Sequence, residues 1–209
     1  MVTDQEEAPY PCPACGAPLF GWTAAHDPLD RGKRVVLDRC ESCGLSVTRA
    51  ATPPDLAELD SLLSTSDSGR TLLTAPNRRS LQGGLGGAQW AGLEPELHRL
   101  HLTPRSTELL LAKRGLEVED VRTPFGRRGR RSMIQTLVNA FTLRDNFIRN
   151  TRSGRLSAES IGRPAYYLDW TVSALVLIPC TLVALPLEAI GAALGRGGVM
   201  EVEARPAGA

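Results

Sequence analysis

Two short stretches decide how the N-terminal part of this 209-residue chain folds: CPACG at residues 12–16 and CESCG at residues 40–44. Each stretch holds two cysteines separated by two residues, a turn that brings two sulfur atoms to one metal ion. A glycine follows each pair, as the tight turn of a zinc knuckle requires. The sequence therefore predicts a structural zinc site whose four thiolate ligands are Cys12, Cys15, Cys40 and Cys43.

The residues around the cysteine pairs predict a zinc ribbon over residues 10–49. We expect residues 34–38 to be the strand arriving at the second pair, and residues 45–48 to be the strand leaving it. With four thiolates and no position for water, the metal is expected to be structural rather than catalytic. We expect His26, in the intervening loop, to be a surface residue and not a fifth ligand.

Composition and charge indicate an ordinary folded protein with an uneven charge distribution. The chain is 42% hydrophobic and 22% charged, and its formal net charge is +1. The N-terminus, MVTDQEEAPY, is acidic and polar, so we expect no secretory signal peptide. Paired cysteines without an export signal are typical of metal binding in a reducing compartment, which predicts a cytoplasmic location.

The middle of the chain predicts a small α/β unit over residues 70–124 and 196–206. A linker with a short helix after Pro53 is expected at residues 50–69. A strand at residues 70–75 and a glycine-rich, irregular stretch at residues 82–92 follow. A helix then begins with Thr103 as N-cap and Pro104, and ends at Gly115. Alternating residues predict strands at 116–122 and 199–204.

Several motifs of this unit occur in a characteristic order. They are Ala75-Pro76-Asn77, then Ser80, Leu81, Gln82, Gly87 and Trp90, then His98, His101, Leu102, Thr103, Pro104 and Ser106, then AKRGLEVEDV at 112–121 and GRGGVMEVEAR at 195–205. Together they resemble the C-terminal half of class I S-adenosylmethionine-dependent methyltransferases, in a branch that often carries an N-terminal zinc ribbon. Leu102 departs from that family, which usually has phenylalanine there.

The resemblance implies a three-stranded remnant of the methyltransferase sheet. Residues 199–204 would lie between residues 72–74 and 117–122 and run antiparallel to both, with the helix at 104–113 on one face. In the family the cofactor binds to the N-terminal half. Here only residues 50–69 precede the first strand of the unit, too few for a βαβ unit of about 30 residues. The glycines at 83–87 follow the wrong strand. We therefore expect no S-adenosylmethionine binding.

His98 and His101 are the only candidates for catalytic residues, as a general base or as metal ligands. Because no cofactor site is expected beside them, the favoured interpretation is that they hydrogen-bond loop backbone and position the start of the following helix. The sequence thus favours a degenerate enzyme, a methyltransferase-like pseudoenzyme.

Residues 125–195 predict a helical insertion with a basic start and an apolar end. Arg127, Arg128, Arg130 and Arg131 precede a segment of helical spacing at 133–148, and an apolar run follows from Trp170 to Leu194. Ten arginines face two carboxylates between residues 122 and 163. If the flanking strands pair, both ends of the run lie on one side of a membrane. We expect a shallow hairpin bent near Pro179, an interfacial segment, or two helices buried against protein.

The predicted class is therefore α+β: an N-terminal zinc ribbon, a three-stranded α/β remnant and a helical, apolar insertion. The leading hypothesis is a non-catalytic binding or scaffold protein, peripheral or monotopic at the cytoplasmic face of a membrane, with a protein partner or a second copy as alternatives for the apolar run. The competing hypothesis is a methyltransferase whose cofactor half comes from a partner chain. A third is a zinc-ribbon nucleic-acid binder, disfavoured because few aromatic residues lie among the arginines.

Overall fold

The computed structural model describes residues 7–26, 33–65 and 70–208. Part of the acidic N-terminus, part of the loop between the cysteine pairs and the end of the predicted linker lie outside these ranges. The strands are β1 (Phe20–His26), β2 (Arg34–Arg39), β3 (Ser46–Thr48), β4 (Leu63–Thr65), β5 (Thr71–Pro76), β6 (Leu100–His101), β7 (Leu116–Arg122) and β8 (Val199–Pro206). The helices are α1 (Ala57–Ser61), α2 (Leu81–Gly86), α3 (Pro104–Ala112), α4 (Arg127–Asn139), α5 (Phe147–Arg152), α6 (Ala158–Ile161) and α7 (Arg163–Ala193).

The first sheet has the antiparallel order β1-β2-β3-β6. The predicted strands on either side of the second cysteine pair are confirmed as β2 and β3, whereas β1 was not predicted. His26 is the last residue of β1 rather than part of a loop, and it is exposed. The fourth strand, β6, lies after β5 and α2 in the chain and pairs Leu100 with Val47. The ribbon is therefore completed by a segment that lies more than fifty positions further along.

The second sheet has the antiparallel order β4-β5-β8-β7. The predicted placement of residues 199–204 between 72–74 and 117–122 is confirmed, since Val202 of β8 pairs with Leu73 of β5 on one side and with Val121 of β7 on the other. A fourth strand was missed. β4, in the segment predicted as a linker, pairs Leu63 with Leu73 on the outer edge of β5.

One continuous hydrophobic core joins the two sheets. Leu45 of the ribbon, Leu59 of α1, Leu110 of α3 and Met200 of β8 are all fully buried in the same cluster. α3 closes this core, and its start is fixed by a capping box in which Thr103 and Ser106 exchange hydrogen bonds. The segment at 50–65 thus contributes packed elements to the core.

The glycine-rich stretch is helical where an irregular loop was predicted. Ser80 caps α2 by accepting a hydrogen bond from the amide of Gly83 at 3.0 Å. A Cβ atom at Gly86 would stand 2.6 Å from the Cγ2 atom of Thr136 in α4, so a larger residue would not fit. Tertiary packing therefore outweighs the low helix propensity of glycine in this segment.

The apolar run forms neither a hairpin nor a pair of helices: α7 is one continuous helix of 31 residues, about 46 Å long at ~1.5 Å per residue. Pro179 and Pro186 are exposed, so their missing N–H groups fall on the side of α7 on which no described residue of the chain packs. The prediction of a bend also assumed that the two ends of the apolar run lie close together. Instead, α4, α5 and α6 lead the chain away from β7, and α7 returns it to β8 in a single pass.

Candidate metal centre and apolar helix surface

The two cysteine pairs form knuckles of the same geometry. In the first, the amide of Gly16 donates to the carbonyl oxygen of Cys12 at 2.8 Å, and in the second, the amide of Gly44 donates to that of Cys40 at 2.9 Å. Both glycines have positive φ, +79° and +76°, a conformation that side chains with a Cβ rarely adopt. This explains why a glycine follows each pair directly.

The four sulfur atoms are close enough to bind one ion. They all lie within 4.8 Å of one another. The Cys12 and Cys43 Sγ atoms are 3.6 Å apart, and those of Cys15 and Cys40 are 3.4 Å apart. Around a tetrahedral zinc with Zn–S bonds of ~2.3 Å, sulfur atoms are separated by roughly 3.8 Å. The group can therefore hold a metal such as zinc with little movement of the knuckles.

Burial makes charge on these thiols unfavourable unless a cation is present. It raises the pKa of Cys12 to about 11, and it also raises the pKa of Cys43. Burial opposes charge on Cys15 as well, but the amide of Ala17 and the neighbouring thiols outweigh it and lower that pKa to about 7. A bound dication would supply the charge that stabilises four adjacent thiolates, and the knuckle amides would support them.

The residues at the two ends of α3 hold both knuckles. The Thr103 hydroxyl donates to the carbonyl oxygen of Cys43 at 2.9 Å, and the Lys113 ammonium group donates to that of Pro13 at 2.7 Å. α3 therefore spans from one knuckle to the other. The sequence predicted Thr103 as a helix cap, but its contact with the metal centre depends on tertiary structure that no local motif reveals.

The two histidines have different partners, both of them side chains. His98 Nδ1 lies 3.2 Å from Glu58 Oε1, and the hydrogen bond with this carboxylate raises the pKa of His98. His101 is buried, with Nε2 3.0 Å from Thr48 Oγ1, and burial lowers its pKa to about 3. Neither belongs to the cysteine cluster. They tie α1 and β3 to the segment around β6.

The distribution of side chains on α7 is the reverse of that on an amphipathic helix of a soluble protein, because its exposed residues are large and apolar. The residues that it buries against the protein are polar or small. They are Asp169, Ser173, Cys180, Ala184, Glu188 and Gly191. We call the opposite side the outer face of α7. It consists of Leu168, Leu175, Ile178, Leu182, Val183 and Ile190, which are 51–72% exposed.

The length and apolarity of α7 are sufficient to cross a membrane, and only 22% of its most apolar 18-residue window is buried. A core helix of a soluble protein normally buries its apolar side chains and exposes its polar ones. Contiguous apolar surface of this kind marks a site of contact with lipid or protein. The outer face is therefore the second candidate functional surface.

Glu188 anchors the C-terminal end of α7 in the protein. Its carboxylate accepts hydrogen bonds from Gln82 Nε2 at 2.9 Å and from the amide of Gly198 at 2.8 Å. Gln82 also donates to the carbonyl oxygen of Gly129 in α4 and accepts from the indole N–H of Trp90. The one acidic residue within the predicted apolar run thus has a structural role.

Comparisons with protein-family models, with curated proteins and with solved structures gave no match to this chain. The resemblance to methyltransferases accordingly stays a prediction from the quoted motifs.

Proposed function

We propose that this chain is a zinc-ribbon protein without methyltransferase activity that acts as a binding or scaffold protein on the cytoplasmic face of a membrane. The observation that carries the proposal is the inverted α7, whose outer face of large apolar residues has no packed neighbour in the described part of the chain. Hydrocarbon is the environment in which such a helix exposes apolar side chains without loss of hydrophobic free energy.

Structural zinc supports this assignment. Cys12, Cys40 and Cys43 are almost completely buried, so a metal held by all four cysteines would have no ligand position open to a substrate. Such a site stabilises a fold and takes no part in chemistry. A reducing compartment would keep the four thiols free to bind the metal.

The edge of the second sheet argues against a methyltransferase completed by a partner chain. The resemblance implies that the missing cofactor half would join at β5. β4 already pairs with Thr71, Leu72 and Leu73 along that edge. A partner strand would have to displace β4 before it could hydrogen-bond with these residues. The scaffold interpretation requires no such rearrangement.

Vesicle flotation with the full chain tests the membrane assignment. We expect the protein to float with phospholipid vesicles and the variant Leu175→Gln/Leu182→Gln to remain in the soluble fraction. The matched control is Leu85→Gln/Leu97→Gln, which alters two exposed leucines outside α7 and should still float. A wild-type protein that stays soluble and monomeric without detergent or lipid would refute membrane attachment.

Titration calorimetry with S-adenosylmethionine tests the absence of methyltransferase activity. We expect no heat of binding from the isolated chain. One-to-one binding at micromolar concentration would overturn that half of the proposal and leave the membrane assignment untouched.

A further inference from the structure

We infer that α7 lies in the plane of a membrane surface rather than across the bilayer, and that the surface is rich in anionic phospholipid. This inference rests on the proposed membrane attachment and specifies its geometry and lipid class. Two observations carry it: the polar helix that accompanies α7 along its length, and the arginines found at both of its ends.

α4 and the turn after it run antiparallel to α7 over most of its length. Gly129 of α4 lies against Glu188, and the amide of Leu143 donates to Asp169 Oδ1 at 2.6 Å. The covered part of α7 therefore spans residues 169–188, about 28 Å at ~1.5 Å per residue. The hydrocarbon core of a bilayer is ~30 Å thick, so any crossing position of α7 would take α4 into it.

α4 is not compatible with hydrocarbon. Arg127, Arg128 and Arg131 are exposed on it, and an arginine in hydrocarbon costs free energy, up to about 2.5–3.5 kcal/mol at the centre of a bilayer on insertion scales. None of the three forms an ion pair with another described residue of the chain. A crossing helix would bury these charges, whereas a helix in the plane of the interface places only the outer face of α7 in the acyl region.

Unpaired arginines flank α7 at both ends. Arg196 follows its C-terminal end, where Arg127 and Arg128 also lie next to Gly129. At the other end, Arg163 begins α7, and Arg152 and Arg155 lie close to it because Phe147 of α5 packs on Tyr166 with ring centroids 5.5 Å apart. These side chains are exposed and make no ion pair within residues 7–26, 33–65 and 70–208.

This charge distribution fits a surface and not a crossing. A helix that crosses a membrane collects lysine and arginine mainly at its cytoplasmic end. Basic residues at both ends of one apolar face instead meet the same leaflet, where each contributes to attraction by anionic headgroups. The apolar face and the two basic clusters therefore recognise one ligand, an anionic lipid surface.

Vesicle binding separates this inference from the proposed function. Vesicles of phosphatidylcholine alone are compared with vesicles that also contain phosphatidylglycerol, at low and at high salt. We expect binding at least 10-fold tighter to the anionic vesicles, and a loss of that advantage at high salt. Equal binding to both vesicles would overturn the inference alone, whereas no binding to either would overturn the proposed function as well.

Matched arginine variants test the two clusters. Arg127→Gln/Arg128→Gln/Arg131→Gln and Arg152→Gln/Arg155→Gln/Arg163→Gln should each weaken binding to the anionic vesicles by about 10- to 100-fold. Arg70→Gln/Arg105→Gln/Arg205→Gln removes the same charge from arginines that form ion pairs elsewhere, and should change binding by less than about 3-fold. An equal effect of all three variants would show a net-charge effect and overturn the assignment of the clusters.

Depth measurement tests the orientation. Leu168, Leu182 and Ile190 are replaced singly by tryptophan in a Trp170→Phe background, and the signal of that background, which retains Trp22 and Trp90, is subtracted. The remaining fluorescence is quenched by phospholipids brominated at different acyl positions. An in-plane helix gives the same depth at the three positions. A middle position much deeper than both ends would show a crossing helix and would overturn the inference while supporting membrane attachment.

Discussion

The hydroxyl group of Thr103, the N-cap of α3, donates a hydrogen bond to the backbone carbonyl of Cys43 at 2.9 Å. The same hydroxyl accepts from the amide of Ser106 at 3.1 Å, which fixes the first turn of the helix. One side chain therefore connects the second cysteine knuckle to the helix that covers the shared core. We therefore expect binding of a metal at the four cysteines to be coupled to the packing of the α/β unit through this contact.

Replacing Thr103 by alanine should destabilise the protein by about 1–2 kcal/mol, because the helix loses its cap and the knuckle loses a buried hydrogen bond. Chemical denaturation measures the effect. Thr103→Ser keeps the hydroxyl group and should retain most of the stability. If the alanine and serine variants unfold at the same denaturant concentration, the hydroxyl has no such role.

Loss of the metal should unfold both sheets, since Cys43, Leu45 and Met200 belong to one core. We expect Cys43→Ser to lower the bound zinc from one ion per chain to none and to abolish the cooperative thermal transition, and a strong chelator to do the same to the wild type. Elemental analysis and circular dichroism provide the measurements. Cys180→Ala alters the cysteine in α7 and should keep its zinc; a zinc-free protein with an unchanged transition would contradict the coupling.

Gly129→Ala should destabilise the protein by about 1–3 kcal/mol, because the added methyl group would overlap the carboxylate of Glu188. For a chain of this size the transition temperature should fall by about 2–4 °C per kcal/mol. Gly84→Ala is the matched control. It lies in α2 with open space around it and should be neutral or slightly stabilising. A neutral Gly129→Ala would mean that α4 and α7 are not in contact here.

Stability should fall as the pH decreases from 7.5 to 5.5, in part because of His101. Burial lowers its pKa to about 3 in the folded state, whereas the unfolded chain binds a proton near pH 6.5. Protons therefore favour the unfolded chain below that pH, by about 1.4 kcal/mol per pH unit.

The variant His101→Gln should lack this contribution. Urea denaturation of both proteins at saturating zinc isolates it as the difference between their pH slopes. His98 acts with the opposite sign, since Glu58 raises its pKa and its stabilisation is lost as the pH rises, but it is present in both proteins. Parallel pH profiles for the two would show that His101 is protonated in the folded state.

The parts of the fold that are marked by local chemistry could be predicted from the sequence. Two CxxC pairs followed by glycine specify the knuckles, and Thr103-Pro104 with Gly115 marks the limits of α3 to within three residues. The alternation at residues 116–122 identifies β7. In each case the residue type is required by a backbone or ligand geometry at that position.

The elements that were missed depend on distant contacts. β6 has two residues, Leu100 and His101, and is a strand only because β3 lies beside it. β4 likewise exists through pairing with β5. The apolar run from Trp170 to Leu194 contains two prolines and one glutamate, which suggested a bend. The prolines lie on the exposed side, and Glu188 is held by Gln82 and Gly198, whose contributions no local pattern encodes.

The central place of β8 affects the order in which the chain becomes folded during synthesis. β5 and β7 hydrogen-bond to β8 and not to each other, so both keep an open edge until residues 199–206 have left the ribosome. α7 emerges before them. A nascent chain thus exposes a long apolar helix together with two strands that still lack β8 as their partner, a combination that favours aggregation in water. Early capture of α7 by a chaperone or a lipid surface would protect the chain during this interval.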